Sequence, residues 1–205
     1  MNYKEYLDIA KKTAIKAGDF LIKNKLNKKV VLTEEGRDIK LELDRETENL
    51  IRKELEKTNI IILGEEFGGE ISSKSLRWVI DPIDGTANYF RGLDQCCVSI
   101  ALMDQDKSKL GIVYNFNNGE IYSAAEGHGC YLNGSKINVS DIDQKNKASI
   151  TTGFPASETI DSQYEFLDEL QGWKKIRMFG SAALSCAYIA SGKCDYYAEK
   201  GVYLW

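Results

Sequence analysis

Residues 78 to 92 read W-V-I-D-P-I-D-G-T-A-N-Y-F-R-G. The run Leu76 to Ile80, apolar except for Arg77, predicts a strand driven into a core. Pro82 is expected to stop its ladder, because proline has no N–H to donate. Asp81 then stands at the strand end, Asp84 three residues on, and Gly85 and Thr86 at the start of a short helix. Carboxylates supply hard oxygen ligands, while helix-start N–H groups point at an anion. The stretch therefore suits a cation and a phosphate together.

Immediately upstream, Asn59 to Leu63 is β-branched and short, which predicts a second buried strand. It ends in Gly64-Glu65-Glu66, so a second strand tip presents carboxylate one loop before Asp81. Standing alone, such a pair reads as solvated loop charge. Further back, Leu7, Ala10, Ala14, Ala17 and Leu21 recur at helical spacing, predicting an amphipathic helix from about residue 3 to 26. The basic run Lys23 to Lys29 reads as its solvated end, favoured there by the helix dipole. Val30 to Leu32 predicts a short strand and Thr33 to Asp38 a polar turn. Asp44 heads a second helix carrying Leu50, Ile51 and Leu55, where an N-cap is the ordinary role for aspartate.

Downstream the chain turns β-rich. Cys96 to Met103, Lys109 to Phe116 and Gly119 to Ala125 predict three strands, the last two joined by a hairpin at Asn117-Asn118-Gly119. Gly127 to Tyr131 and Asn133-Gly134 read as further turns. The polar stretch Ser140 to Lys147 marks the best lobe boundary, dividing residues 1–140, a helix pair with a β-rich lobe and the cation site, from residues 141–205, an incomplete α/β lobe. In that second part Ala148 to Thr152 predicts a strand, Ser162 to Gln171 a helix, and Lys175 to Phe179 a strand. Ala182 to Ser191 reads as a small-residue helix closed by Gly192, followed by a strand from Cys194 to Glu199.

Composition narrows the function classes. The 205 residues carry 43% apolar and 28% charged side chains with a formal net charge of −4. A dedicated nucleic-acid binder would carry a basic excess, so no nucleic-acid polymer is expected as a partner. No apolar run approaches membrane-spanning length, and the M-N-Y-K-E-Y start lacks the features of a signal peptide. Five cysteines without a C-x-x-C pair predict a reduced, cytoplasmic setting, with Cys96 and Cys97 as buried small hydrophobes. With His128 as the sole histidine, a histidine-rich zinc site or a Ser–His–Asp triad is disfavoured.

Glu65, Asp81 and Asp84 thus form an oxygen-only donor set with no sulphur or imidazole beside it, which favours Mg²⁺. Magnesium beside a helix start serves phosphate, polarising a phosphoryl oxygen and generating hydroxide from water. Thr86 can orient that water, its hydroxyl passing a proton toward Asp44. The rival reading is a cluster of solvated acids at strand ends.

The segment D-P-I-D-G-T-A-N, preceded by W-V-I and by G-E-E, strongly resembles the inositol monophosphatase family, in a wider Mg²⁺-dependent, lithium-sensitive-type superfamily with 3′-phosphoadenosine phosphatases and fructose-1,6-bisphosphatases. T-G-F-P at Thr152 to Pro155, G-S-A-A at Gly180 to Ala183, and the approach to a W-D motif from Ala198 to Trp205 resemble later family segments. The resemblance implies a layered α/β/α/β/α sugar-phosphatase-like fold with mixed and antiparallel sheets. It implies Mg²⁺ bound by Glu65, Asp81, the Ile83 carbonyl and Asp84, and water activated by Thr86 with Asp44. Gly85 and Thr86 N–H groups would hold phosphate, Gly180, Ser181 and Ala182 would line the substrate pocket, and Glu199 would accept a substrate hydroxyl. The substrate class would be inositol monophosphate or a related sugar or polyol phosphate, with 3′-phosphoadenosine 5′-phosphate as the alternative, and the assembly a homodimer. Two departures stand out. Lys40 and Leu41 occupy positions where many members carry Val-Thr, and the sequence stops at Trp205, where the family continues with a metal-binding aspartate. The expectation is therefore a chain lacking its C-terminal part, with a catalytically impaired binding or assembly fragment as the competing function.

Overall fold

The computed structural model describes residues 3–25, 31–35, 38–69, 76–154 and 164–204. Its centre is a seven-stranded sheet of order β3-β4-β5-β6-β7-β8-β9. These strands are β3 (Ile61–Gly64), β4 (Leu76–Asp84), β5 (Cys97–Asp104), β6 (Lys107–Asn115), β7 (Glu120–Ala125), β8 (Gly129–Leu132) and β9 (Ser135–Ile137). β3 runs parallel to β4 and the remaining neighbours are antiparallel, so the sheet is mixed.

Side chains alternate between the faces of a strand. In β4 to β6 the even-numbered Trp78, Ile80, Ile100, Leu102, Leu110 and Ile112 form one core with α1 (Tyr3–Asn24) and α2 (Glu42–Leu55). α1 contributes the stripe Ala10, Ala14, Ala17 and Leu21 that helical periodicity predicted. Val79, Met103 and Leu63 form a smaller cluster with Ala101. β4 is thus covered on both faces, which is why Trp78, Val79 and Ile80 at its centre are consecutively apolar rather than alternating.

A second, three-stranded parallel sheet has the order β11-β10-β12, from β10 (Ser149–Thr151), β11 (Lys175–Arg177) and β12 (Tyr196–Tyr197). α5 (Ala182–Ala190) touches β5 and β6 of the large sheet and β12 of the small one. α4 (Tyr164–Glu169) packs Phe166 against Ile150. The result is the layered α/β architecture with mixed and antiparallel pairing that the sequence resemblance implied.

Several elements differ from the sequence expectation. Pro82 does not end β4: the strand continues to Asp84, with a register shift between Asp81 and Asp84 against β5. Pairing with β3 stops at Ile80, so Pro82 sits at a bulge with one flank already open, a position that tolerates a missing N–H. The expected polar turn from Thr33 to Asp38 is instead an antiparallel hairpin of β1 (Val31–Glu35) and β2 (Asp38–Leu41). Of the turns expected from Gly127 to Tyr131, Gly129 to Tyr131 instead belong to β8, which pairs antiparallel with β9 around Asn133 and Gly134, both at positive φ. β12 is shorter than the expected Cys194 to Glu199 strand. Asp195 is diverted there, accepting the Ser140 hydroxyl at 2.5 Å and the Ser149 N–H at 2.6 Å. Leu26 to Val30, Gly36, Arg37, Pro155, Ser162 and Trp205 lie outside the described residues.

Candidate active site

Asp81 sits where β4 loses its β3 partner. Its carboxylate accepts the Ile83 N–H at 2.9 Å, an amide that the bulge has removed from the ladder. Asp81 is buried, and desolvation pushes its carboxyl well above the usual range, reinforced by the negative charges of Glu65 and Asp84. Glu65 lies against Asp81, so two carboxyl groups crowd one another at this point. Glu65 is brought there by the end of β3, with its N–H donating to Ile80 O at 3.3 Å.

Asp84 faces a different neighbour. Its carboxylate accepts the Ser181 hydroxyl at 2.5 Å and the N–H groups of Ala182 and Ala183 at 3.2 and 2.7 Å, all at the start of α5. Burial raises its pKa and these donors pull against that rise. Cys97 Sγ lies 3.6 Å from Asp84 Oδ2, so a sulphur does accompany the acids, contrary to the sequence expectation. Antiparallel register delivers it, pairing Asp84 with Cys97. Burial and the Asp84 charge push the Cys97 thiol up, which keeps it a thiol and not a thiolate ligand. Both Cys96 and Cys97 are buried and free, as small hydrophobes would be.

Asp44 is not an N-cap. Leu41 holds that position, and Asp44, three residues into the cap, reaches back to accept the Leu41 N–H at 2.6 Å. Its other oxygen lies 3.4 Å from Thr86 Oγ1, which also donates to the Ile83 carbonyl at 2.9 Å. One hydroxyl proton serves one acceptor at a time, so Thr86 is shared between Asp44 and Ile83. Burial moves the Asp44 pKa up to about 8, opposed by the Leu41 N–H and supported by the charges of Glu66 and Glu65.

Gly85 caps the short helix α3 (Thr86–Arg91) at φ 91°. A Cβ there would lie 2.8 Å from Gln95 O and 3.0 Å from Gly180 O, so only glycine lets these segments approach. Asn88, which sequence reasoning passed over, donates to Gln95 O and Phe179 O, both at 2.7 Å, and ties α3 to the Gly180 turn. Ser181 caps α5 by accepting the Leu184 N–H at 3.3 Å. Glu199 is placed beside Gly153, whose Cβ would fall 2.5 Å from Glu199 Oε1, and it accepts the Tyr197 hydroxyl at 2.9 Å. Its carboxyl is raised by burial. The structure thus brings Asp44, Thr86, Ile83, Asp81 and Glu65 into one chain of contacts, and Asp84 with Ser181 and Ala182 into another, joined through β4.

No three of the acidic, cysteine and histidine side chains converge on a common point among the described residues. Asp84 is bonded to the start of α5 through Ser181, Ala182 and Ala183. The donor set nonetheless fits a hard cation, because the negative charges of Glu65 and Asp84 crowd the desolvated Asp81 carboxyl, and bound positive charge would relieve that repulsion. Glu65, Asp81 and the Ile83 carbonyl supply oxygen only.

A layered α/β protein with buried acids gathered at the end of a central strand, beside two helix starts, is the class that fold and site define. The inositol monophosphatase family model matches residues 2–205, and the chain belongs to that family. The "Nus factor SuhB" of Xylella fastidiosa is 36% identical, with the match covering 98% of this chain and 76% of that protein. The "Fructose-1,6-bisphosphatase/inositol-1-monophosphatase" of Aquifex aeolicus is 31% identical over 100% of this chain and 80% of that protein. Among solved structures, the extragenic suppressor protein suhB of Bartonella henselae superposes with a TM-score of 0.91 at 30% identity, covering 98% of this chain and 80% of that one.

Proposed function

We propose that this chain hydrolyses a small phosphate monoester, inositol monophosphate or a related sugar or polyol phosphate, with water as the nucleophile. The observation that carries the reading is the buried Asp81, crowded by the charges of half-buried Glu65 and of Asp84, next to the Asp44–Thr86 contact. Mg²⁺ would be held by Glu65, Asp81, the Ile83 carbonyl and Asp84, and when bound it supplies Lewis-acid polarisation and a lowered pKa for water. Thr86 orients the attacking water through its hydroxyl, and Asp44, once ionised, takes the proton. The N–H groups of Gly85 and Thr86 donate to the phosphate oxygens. Gly180, Ser181 and Ala182 wall the ester's other side, with the Ser181 hydroxyl and the Ala182 N–H engaged by Asp84. Glu199, fixed by Tyr197, accepts a hydroxyl of the leaving polyol. The same groups would serve 3′-phosphoadenosine 5′-phosphate, because they read phosphate and cation rather than the leaving group.

The test is phosphate release from a panel of inositol 1-phosphate, fructose 1,6-bisphosphate and 3′-phosphoadenosine 5′-phosphate, with and without Mg²⁺. Turnover lost in Asp81→Asn and Asp44→Asn supports the reading; release by the chain no faster than by Asp81→Asn on every ester refutes it. A second reading, an assembly subunit without turnover, is favoured by the relative named as a Nus factor. It predicts ester binding by calorimetry with no phosphate released. Light scattering would show whether the chain forms the homodimer that the family resemblance implies.

A further inference from the structure

α2 carries Asp44, Glu48 and Arg52 at successive steps of four residues, which places them on one stripe of the helix. Asp44 serves Thr86. The other two grip the turn after β3. Glu48 is fully buried, and its carboxylate accepts the N–H groups of Glu66 at 2.7 Å and Phe67 at 3.3 Å. Arg52 Nε holds the same carboxylate at 2.7 Å, while its other nitrogens donate to the carbonyls of Gly68 at 2.6 Å and Ile62 at 3.4 Å. Gly64 completes the fit, since a Cβ there would collide with the Glu48 carboxylate. Both ends of the turn and its middle are therefore tied to one ion pair, and Glu65 is the residue between the ties.

We propose that Glu48, braced by Arg52, is a positioning residue that aims Glu65 at Asp81 and so sets the protein's affinity for a divalent cation. The proposal rests on the cation reading given above. A buried acid accepting two consecutive amide N–H groups holds a turn more tightly than a solvated one, because the alternative is an unpaired charge in a low dielectric. Helix α2 thereby carries one acid of the site, Asp44, and fixes another, Glu65, through the side chain one turn further on. Outer partners that orient metal ligands act in this way, and their loss costs roughly 10–100-fold in metal affinity.

Glu48→Gln tests this, since the amide keeps the side-chain shape and one acceptor oxygen but must set an NH₂ against a backbone N–H or against Arg52. Mn²⁺ binding to the 205-residue chain is measured by calorimetry, well below the melting temperature. The expected result is a Kd for Mn²⁺ raised about tenfold or more, with turnover at saturating cation largely recovered. An unchanged Kd overturns the proposal. Arg52→Leu, which leaves the two amide acceptors in place but removes their brace, should raise Kd in the same direction by a smaller factor; Mn²⁺ affinity equal to wild type in that variant also counts against it. Should Glu48→Gln fail to fold, Arg52→Leu decides alone. Asp81→Asn and Glu65→Gln run alongside: if neither weakens Mn²⁺ binding, the cation reading itself fails, whereas if both do and Glu48→Gln does not, only the positioning role is lost.

Discussion

Asp44 offers the sharpest test of the site's electrostatics. Its carboxyl lies almost wholly out of water, 2% exposed, and titrates at about 8 where an ordinary aspartate titrates at 3.8. In the unfolded chain the group ionises near pH 4; in the native state it keeps its proton up to about pH 8. Between those values the native state binds one proton more than the unfolded state, so stability is greatest below pH 4 and falls as pH rises through the window. One group contributes a slope of about −1.4 kcal/mol per pH unit, and on the order of 5 kcal/mol across the whole window. Asparagine at this position cannot ionise, yet its carbonyl oxygen can still accept the Leu41 N–H. Urea unfolding in EDTA at pH 5, 6 and 7 therefore compares like with like. The free energy of Asp44→Asn minus that of wild type should climb by about 1.4 kcal/mol per pH unit. Contributions from Asp81, Asp84 and Glu199 are common to both proteins and largely cancel. Parallel pH curves for the two would refute the reasoning, and saturating Mg²⁺ should flatten the wild-type slope by favouring the charged carboxylates.

Other perturbations follow from named contacts. Gly85→Ala places a side chain at φ 91° and within 2.8 Å of Gln95 O, and should cost about 2–4 kcal/mol in chemical unfolding and abolish ester turnover. Asn88→Ala removes the donors to Gln95 O and Phe179 O; about 1–2 kcal/mol of stability should be lost, with KM for the ester rising more than kcat falls. Ser181→Ala removes the cap of α5 and the shortest donor to Asp84, for a loss of about 1 kcal/mol by thermal melting. Trp78→Ala, fully buried under α1 and α2 with Nε1 on the Thr58 hydroxyl at 3.0 Å, should cost about 3–5 kcal/mol.

Much of this architecture is legible in particular residues. The stripe Ala10, Ala14, Ala17 and Leu21 identifies α1 because burial follows helical period, and the apolar run before Asp81 identifies β4 because both faces are covered. D-P-I-D-G-T marks the centre of the site because glycine at positive φ beside strand-end acids has few other uses. What is not legible depends on contacts distant in sequence. Pro82 reads as a stop until β3 is known to end its pairing at Ile80, which turns the same proline into a bulge. Cys97 joins the acids only through antiparallel register. Glu48 and Arg52 look like solvated helix charges, since nothing local announces that the turn from Gly64 to Gly68 folds onto them. Asn88 is equally silent, its acceptors lying 7 and 91 residues away.

The bulge at Pro82 has one more consequence. Because it lifts the Ile83 amide out of the ladder and onto Asp81 Oδ1, that amide is bound to an ionisable group instead of a carbonyl. Its proton resonance is therefore a built-in indicator of the Asp81 charge, shifting whenever that carboxylate gains or gives up a proton or a cation. A single backbone signal, from a residue whose side chain is buried in the core, can thus follow occupancy at the heart of the site without any added label.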